Sequence, residues 1–332
     1  MQQELTRRGF MKAGAGAGIA AGLGVGAGQR KAWAVDPVWP THKALITAPP
    51  NESVFTEIKR AGFNGVEANL WSPKEGLTTP DEAAKARELA GKMGLRVHTV
   101  LRGWAEFNSD DPEKVKASVD HTIYTLKAAQ GYGADAILLV GGRIGDMAMP
   151  APGQFKVEFD PKNGHLLRVA EGDNAQYQDY IKAHDHAYDS FVKEIGGLIP
   201  VAEETKVVIG VENVWNNMFI NPHHFALLID SFKSRWVRAY FDIGNQVKYR
   251  TPPEDWIRVL GKRIIKLHVK DYKIDPPNGE EWPSLREGSV NWPAVTTALA
   301  EVGYQGWFTI EGSGGLPYDQ RRERLDLILA GA

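Results

Sequence analysis

Short apolar runs alternate along the chain with longer segments whose apolar residues recur at helical spacing. The runs predict strands at 44–47, 65–70, 96–101, 136–141, 207–213, 237–243, 264–269 and 307–311. Helical patterns follow at 53–61, 80–93, 112–132, 175–204, 222–232, 253–260, 292–302 and 318–329, several opened by proline or by an acidic or hydroxyl side chain. Such alternation argues for parallel strands joined by helical crossovers. An open doubly wound sheet also alternates, but it usually carries a glycine-rich phosphate turn after its first strand, and Thr47-Ala48-Pro49-Pro50-Asn51 is no such turn. The pattern therefore predicts an α/β protein, a (β/α)8 TIM barrel in a single domain.

Two stretches fall outside this pattern. The interval 143–174 is rich in Gly, Pro, Asp and Asn, and reads as a loop insertion after the fourth strand. Leaving from a strand's carboxyl end, it is expected to form a wall or lid over the active face, the alternative being a surface excursion. At the start, Thr6-Arg7-Arg8-Gly9-Phe10-Met11-Lys12, an uncharged Gly/Ala-rich core and Ala32-Trp33-Ala34 read as a twin-arginine signal peptide over residues 1–34, cleaved after Ala34. The core is too short and too glycine-rich for a stable membrane span. This predicts the export machinery as a partner, a periplasmic or otherwise exported location, and a barrel domain over 35–332.

Charge and composition narrow the chemistry. The leader holds five of the 39 Lys and Arg and one of the 41 Asp and Glu, so the mature chain keeps 34 basic and 40 acidic side chains and a formal charge of −6. An acidic chain is poorly suited to a nucleic-acid backbone. The absence of cysteine removes disulfides, thiolate metal sites and cysteine nucleophiles. The 10 Trp and 10 Tyr suit a carbohydrate substrate, though many belong to the core. A homo-oligomer is left open.

Glu212, Asp242, His268 and Glu311 each stand near the carboxyl end of a predicted strand, at intervals of 26 to 43 residues. Neighbouring units of a parallel barrel would gather them around one divalent cation. Three oxygen ligands and one nitrogen favour Mn²⁺, with Co²⁺ or Mg²⁺ as alternatives, over a structural zinc site. Strand parity aims Trp307, Thr309 and Glu311 inward, as it does Lys266, His268 and Lys270. A buried salt-bridge network of Glu212, Asp242 and Glu311 with Lys266 and Lys270 is therefore the competing explanation.

The segments Gly210-Val211-Glu212-Asn213, Tyr240-Phe241-Asp242-Ile243-Gly244-Asn245, Lys266-Leu267-His268-Val269-Lys270-Asp271 and Glu287-Gly288-Ser289-Val290-Asn291-Trp292, followed by Gly303-Tyr304-Gln305-Gly306-Trp307 and Ile310-Glu311, resemble the xylose-isomerase-like sugar isomerase/epimerase superfamily. The resemblance covers nearly all of the mature chain. It implies a metal bound by Glu212, Asp242, His268 and Glu311, with Glu212 and Glu311 also exchanging a proton with substrate from opposite sides. It also implies sugar contacts for His98, Lys270 and Glu287. Asn245 departs from the family's frequent histidine three residues after the metal-binding aspartate; it can bond a hydroxyl but cannot accept a proton at neutral pH.

The expected reaction is isomerisation or epimerisation of an unphosphorylated sugar through an enediolate, since phosphorylated sugars are mostly cytoplasmic. A lyase that cleaves 3-keto glycosides by β-elimination would use the same residues. A non-catalytic periplasmic sugar-binding barrel is a further alternative, although binding needs no opposed pair of bases, and an endonuclease of the same barrel type would want more histidines and a basic groove. Trp71, Trp104 and Trp215 follow strand ends, where each could stack on a sugar face. Glu67, inward by parity but away from the four ligand strands, is expected to pair with an arginine. His223 and His224, adjacent at a helix start, are expected to be surface or cap residues.

Overall fold

The structure, a computed structural model, describes residues 42–70, 78–276, 279, 281–312 and 315–331. The predicted signal segment 1–34 and Trp71 lie outside the described residues. The barrel strands are β1 (Lys43–Thr47), β2 (Gly65–Asn69), β3 (Arg96–Trp104), β4 (Ala136–Val140), β7 (Val208–Glu212), β8 (Val237–Asp242), β9 (Ile264–Val269) and β10 (Phe308–Ile310). Parallel pairing closes them in the order β1-β10-β9-β8-β7-β4-β3-β2. The helices are α1 (Glu52–Arg60), α2 (Pro80–Lys92), α3 (Pro112–Tyr132), α4 (Gln178–Thr205), α5 (Pro222–Ser231), α6 (Pro253–Leu260), α7 (Trp292–Glu301) and α8 (Tyr318–Leu329). This is the expected TIM barrel.

Local chemistry sets these boundaries. Asn51 caps α1 by accepting from Val54 N at 3.0 Å, and Thr79 with Glu82 forms a reciprocal capping box on α2. Proline in the first turn opens α2, α3, α5, α6 and α7, where its missing N–H costs nothing. Outward apolar positions such as Val66, Ile137, Ile209, Phe241 and Leu267 are buried and join the core beneath the helices. Inward positions carry Glu67, Glu212, Asp242 and His268 beside a smaller apolar cluster of Leu101, Leu138, Val140 and Tyr240.

The insertion is more ordered than a loop. It contains the hairpin β5 (Glu158–Phe159) and β6 (Leu166–Arg168). Leu166 N donates to Asp185 Oδ1 at 2.8 Å, and His165 Nε2 lies 2.9 Å from Asp189 Oδ1, so α4 holds the hairpin. Near its start the insertion borders the turn after β7, where Asn217 Nδ2 donates to Ile144 O at 2.7 Å. It then turns outward onto α4 and α5, as a flank to that loop. The expectation for His224 is corrected here: it is buried, with Nε2 2.7 Å from Gly164 O, because the hairpin covers the start of α5.

The loop after β9 is organised by one buried carboxylate. Asp271 accepts from the backbone N–H of Tyr272 (3.0 Å), Arg286 (2.8 Å), Gly288 (3.1 Å) and Val290 (3.3 Å) and from Trp292 Nε1 (3.2 Å). A Cβ on Gly288 would sit 1.9 Å from Asp271 Oδ1, so only glycine allows this approach. Because hydrogen bonds to a charged group are stronger than neutral ones, Asp271→Ala is expected to cost about 3 kcal/mol of stability, measured by urea unfolding.

Candidate metal and proton-transfer site

Glu212 closes β7, Asp242 closes β8, His268 lies on β9 and Glu311 directly follows β10, so four adjacent strands present these residues at one end of the barrel. Each offers one ligand atom, and the four atoms lie within 4.8 Å of one another. His268 Nδ1 is 2.9 Å from Glu311 Oε2 and 3.9 Å from both Glu212 Oε1 and Asp242 Oδ2. The Glu311 side chain is 28% exposed, whereas the other three residues are buried, so Glu311 forms the rim of the cluster.

Backbone and amide groups fix Asp242. Asn213 Oδ1 accepts from Asp242 N at 2.6 Å while its Nδ2 donates to Asp242 O at 2.9 Å. Asn245 N donates to Asp242 Oδ1 at 2.7 Å, leaving Oδ2 turned to the cluster without a partner. Gly244 permits this turn, since a Cβ there would lie 2.7 Å from Lys270 O. Asn245 also donates from Nδ2 to Glu212 Oε1 at 3.1 Å, and Lys270 Nζ donates to Asn245 Oδ1 (3.4 Å) and Glu311 Oε1 (3.1 Å). Asn245 therefore bridges one glutamate to the lysine that holds the other.

Burial and the negative charge of Glu311 push Glu212 up to about 8. Asp242 rises to about 7 through burial and Glu311, against the pull of Lys270. Burial would also raise Glu311, but Lys270 and His268 outweigh it and hold this carboxyl well below the usual range. Burial would lower His268, yet Glu67 and Glu311 keep it well above the ordinary imidazole range. The site thus gathers three carboxyl groups around Lys270 and His268.

The residues present fit a divalent ion. Asp242 Oδ2, Glu311 Oε2 and His268 Nδ1 are buried without hydrogen-bond partners and converge on the same space, an oxygen and nitrogen donor set that suits a divalent cation. Lys266 does not supply the balance that the salt-bridge alternative asks of it. It pairs with Asp135 Oδ1 at 2.6 Å, because two residues back along a strand is about 6.6 Å nearer the barrel's other end. A bound cation must displace protons from Glu212, Asp242 and His268, so metal affinity is expected to rise steeply from pH 6 to pH 8, by up to about tenfold per pH unit for each proton displaced. Calorimetric titration of Mn²⁺ at several pH values measures this; an affinity flat over that range would contradict it.

Of the other residues singled out in the sequence, Asn245 and Lys270 join the cluster. Trp215 stands three residues beyond Glu212, its ring stacked on Trp282 at 5.6 Å with Lys248 Nζ 4.0 Å from its centroid. Trp282 in turn carries Lys270 Nζ 4.4 Å from its ring, so the two indoles link the loops after β7 and β9 beside the cluster. Trp104 packs near the barrel end with Val214 and Tyr240. His98 and Glu287 are set apart. His98 is buried against Trp307, ring centroids 4.3 Å apart, and its Nε2 lies 3.0 Å from Thr309 Oγ1. Glu287 is exposed and pairs with Arg324 Nη2 at 2.6 Å.

The expectation of an arginine partner for Glu67 is corrected. Glu67 is wholly buried, and its Oε2 lies 3.1 Å from His268 Nε2 and accepts from the Tyr240 hydroxyl. Asn213, Glu67 and Gln246, whose Nε2 donates to Asn213 O at 2.8 Å, are the supporting residues that motif spacing did not single out as site residues. For Glu67 the available signal was an acid inside the apolar run Gly65-Val66-Glu67-Ala68.

Residues 55–328 match the protein family described as Xylose isomerase-like TIM barrel. The D-psicose 3-epimerase of Enterocloster bolteae is 24% identical over 261 residues, which cover 77% of this chain and 74% of that protein. The uncharacterised protein MJ1311 of Methanocaldococcus jannaschii is 28% identical over 130 residues, 37% of this chain and 43% of that protein, so this match spans less than half of its length. The apo crystal structure of 3-keto-D-glucoside 4-epimerase from E. coli superposes with a TM-score of 0.61 at 15% identity, covering 87% of this chain and 99% of that one. Two of these three proteins are named as sugar epimerases.

Proposed function

This chain belongs to the xylose isomerase-like TIM barrel family, and from that premise we propose that it is a divalent-metal-dependent sugar isomerase or epimerase. The proposed substrate is an unphosphorylated sugar, reached after twin-arginine export, and the proposed intermediate is an enediolate. The observation that carries this reading is the pair of glutamates, Glu212 and Glu311, in one cluster with Asp242 and His268. A divalent ion held by these four side chains, Mn²⁺ ahead of Co²⁺ or Mg²⁺, would supply Lewis-acid stabilisation of negative charge on a carbonyl oxygen and its neighbouring hydroxyl.

The protein's own groups then divide the work. One glutamate removes the proton beside the carbonyl and the other returns a proton from the opposite side. Lys270, bonded to Glu311, favours its ionised and hence basic form. Asn245 orients Glu212 and moves no proton. Asp242 and His268 hold position. Among the described residues, the ammonium in contact with the cluster, Lys270, is already committed to Glu311, which supports a neutral sugar over a phosphorylated one.

Incubation of the purified protein and Mn²⁺ with free ketoses and 3-keto glycosides in deuterated water tests the proposal. Deuterium uptake beside the carbonyl without bond cleavage is expected. Release of an aglycone would make the protein a β-eliminating lyase instead, and neither exchange nor cleavage across the panel would leave the binding-protein alternative.

A further inference from the structure

Resting on the metal site proposed above, we propose that Glu67 is a positioning residue for metal binding, which fixes His268 in the tautomer whose free Nδ1 faces Glu212, Asp242 and Glu311. A neutral imidazole carries one N–H, and whichever nitrogen donates leaves the other as the ligand. His268 Nε2 lies 3.1 Å from Glu67 Oε2, so with a cation on Nδ1 the ring's one remaining N–H, on Nε2, donates to that oxygen. Nδ1 is left without a hydrogen-bond partner, 2.9 Å from Glu311 Oε2. The Tyr240 hydroxyl donates to the same Glu67 oxygen, and the Tyr240 ring meets the imidazole edge-on at 4.7 Å, so tyrosine and glutamate together set the plane of the ligand.

The burial of Glu67 argues that its carboxyl has a use. It reaches from β2 to β9 across the barrel interior, is fully buried, and its Oε1 has no partner. An apolar side chain of similar volume would fill that space without desolvating a carboxylate. An acceptor behind a metal-binding histidine both orients the ring and raises its basicity as a ligand, an arrangement whose loss commonly weakens metal binding about 10- to 100-fold.

Titration of Co²⁺ into the chelator-treated full chain, followed by calorimetry and ligand-field absorption, compares the wild type with Glu67→Leu and Glu67→Gln. Glu67→Leu is expected to weaken Co²⁺ binding about 10- to 100-fold and to alter the absorption spectrum. Glu67→Gln, whose amide oxygen still accepts from Nε2, is expected to weaken it less. A purely structural role would lower the unfolding midpoint of the metal-free chain and leave the cobalt spectrum and affinity of the folded fraction unchanged. Both variants binding within about twofold of wild type, with its spectrum, would overturn the role while leaving the metal site standing. A wild type that binds no Co²⁺ would remove the site and the role together. If Glu67→Leu does not fold, Glu67→Met, which likewise removes the acceptor, decides: weakening of about threefold or more supports the role, and anything less overturns it.

Discussion

Glu311→Gln is expected to lower epimerisation or isomerisation by about 10³-fold while the barrel stays folded, with Glu212→Gln producing a loss of similar size. Glutamine keeps the volume and one coordinating oxygen of each side chain but cannot take a proton at neutral pH. Two opposed bases make a sharper forecast than a simple loss. When one is removed, the other still faces its own side of the substrate, so each variant should exchange deuterium into one epimer without converting it to the second. The pairing of Lys270 with Glu311 and of Asn245 with Glu212 sets these two glutamates in different surroundings, so the two variants should differ in which epimer retains exchange. Following deuterium and epimer ratio together by NMR reads both effects. Equal residual exchange into both epimers in both variants would count against a division of labour between the glutamates.

Removing the metal is expected to lower thermal stability by about 10 °C. Glu67, Glu212, Asp242 and Glu311 surround one end of the barrel interior, and Lys270 and His268 are the cations in contact with them among the described residues. An ion that binds only the folded chain adds about 4 kcal/mol at a free concentration a thousandfold above its Kd. For a domain of this size each kcal/mol corresponds to roughly 2 to 4 °C in Tm, which gives the stated shift. Calorimetric scans with Mn²⁺ and with excess chelator measure it. Identical midpoints would mean that protonation of Glu212 and Asp242, with the Lys270 contacts, already relieves the repulsion.

Much of the fold was legible because its signals are local. Proline at helix starts placed Pro112–Tyr132 and Pro253–Leu260 at their observed limits, and the apolar runs located every barrel strand to within a few residues. The quartet was legible for the same reason, since each member ends a short apolar run and strand order makes the runs neighbours. What escaped depends on register across the barrel. Glu67 sits on β2, with β1 and β10 between it and β9, and parity shows that it points inward without showing which residue it meets. Lys266 shares parity with His268 and Lys270, yet its height along β9 delivers it to Asp135. His224 was misjudged because its cover comes from the hairpin around Gly164, a segment with weak periodicity of its own.

The site itself is tested most directly by titrating Mn²⁺ into the chelator-treated chain and recording X-ray absorption at the metal edge. One ion per chain, with a shell of oxygen and nitrogen ligands at about 2.0 to 2.3 Å that includes a histidine and is lost in His268→Ala, is the expected result. No stoichiometric ion, or an ion unaffected by His268→Ala, would contradict a metal centre built from Glu212, Asp242, His268 and Glu311.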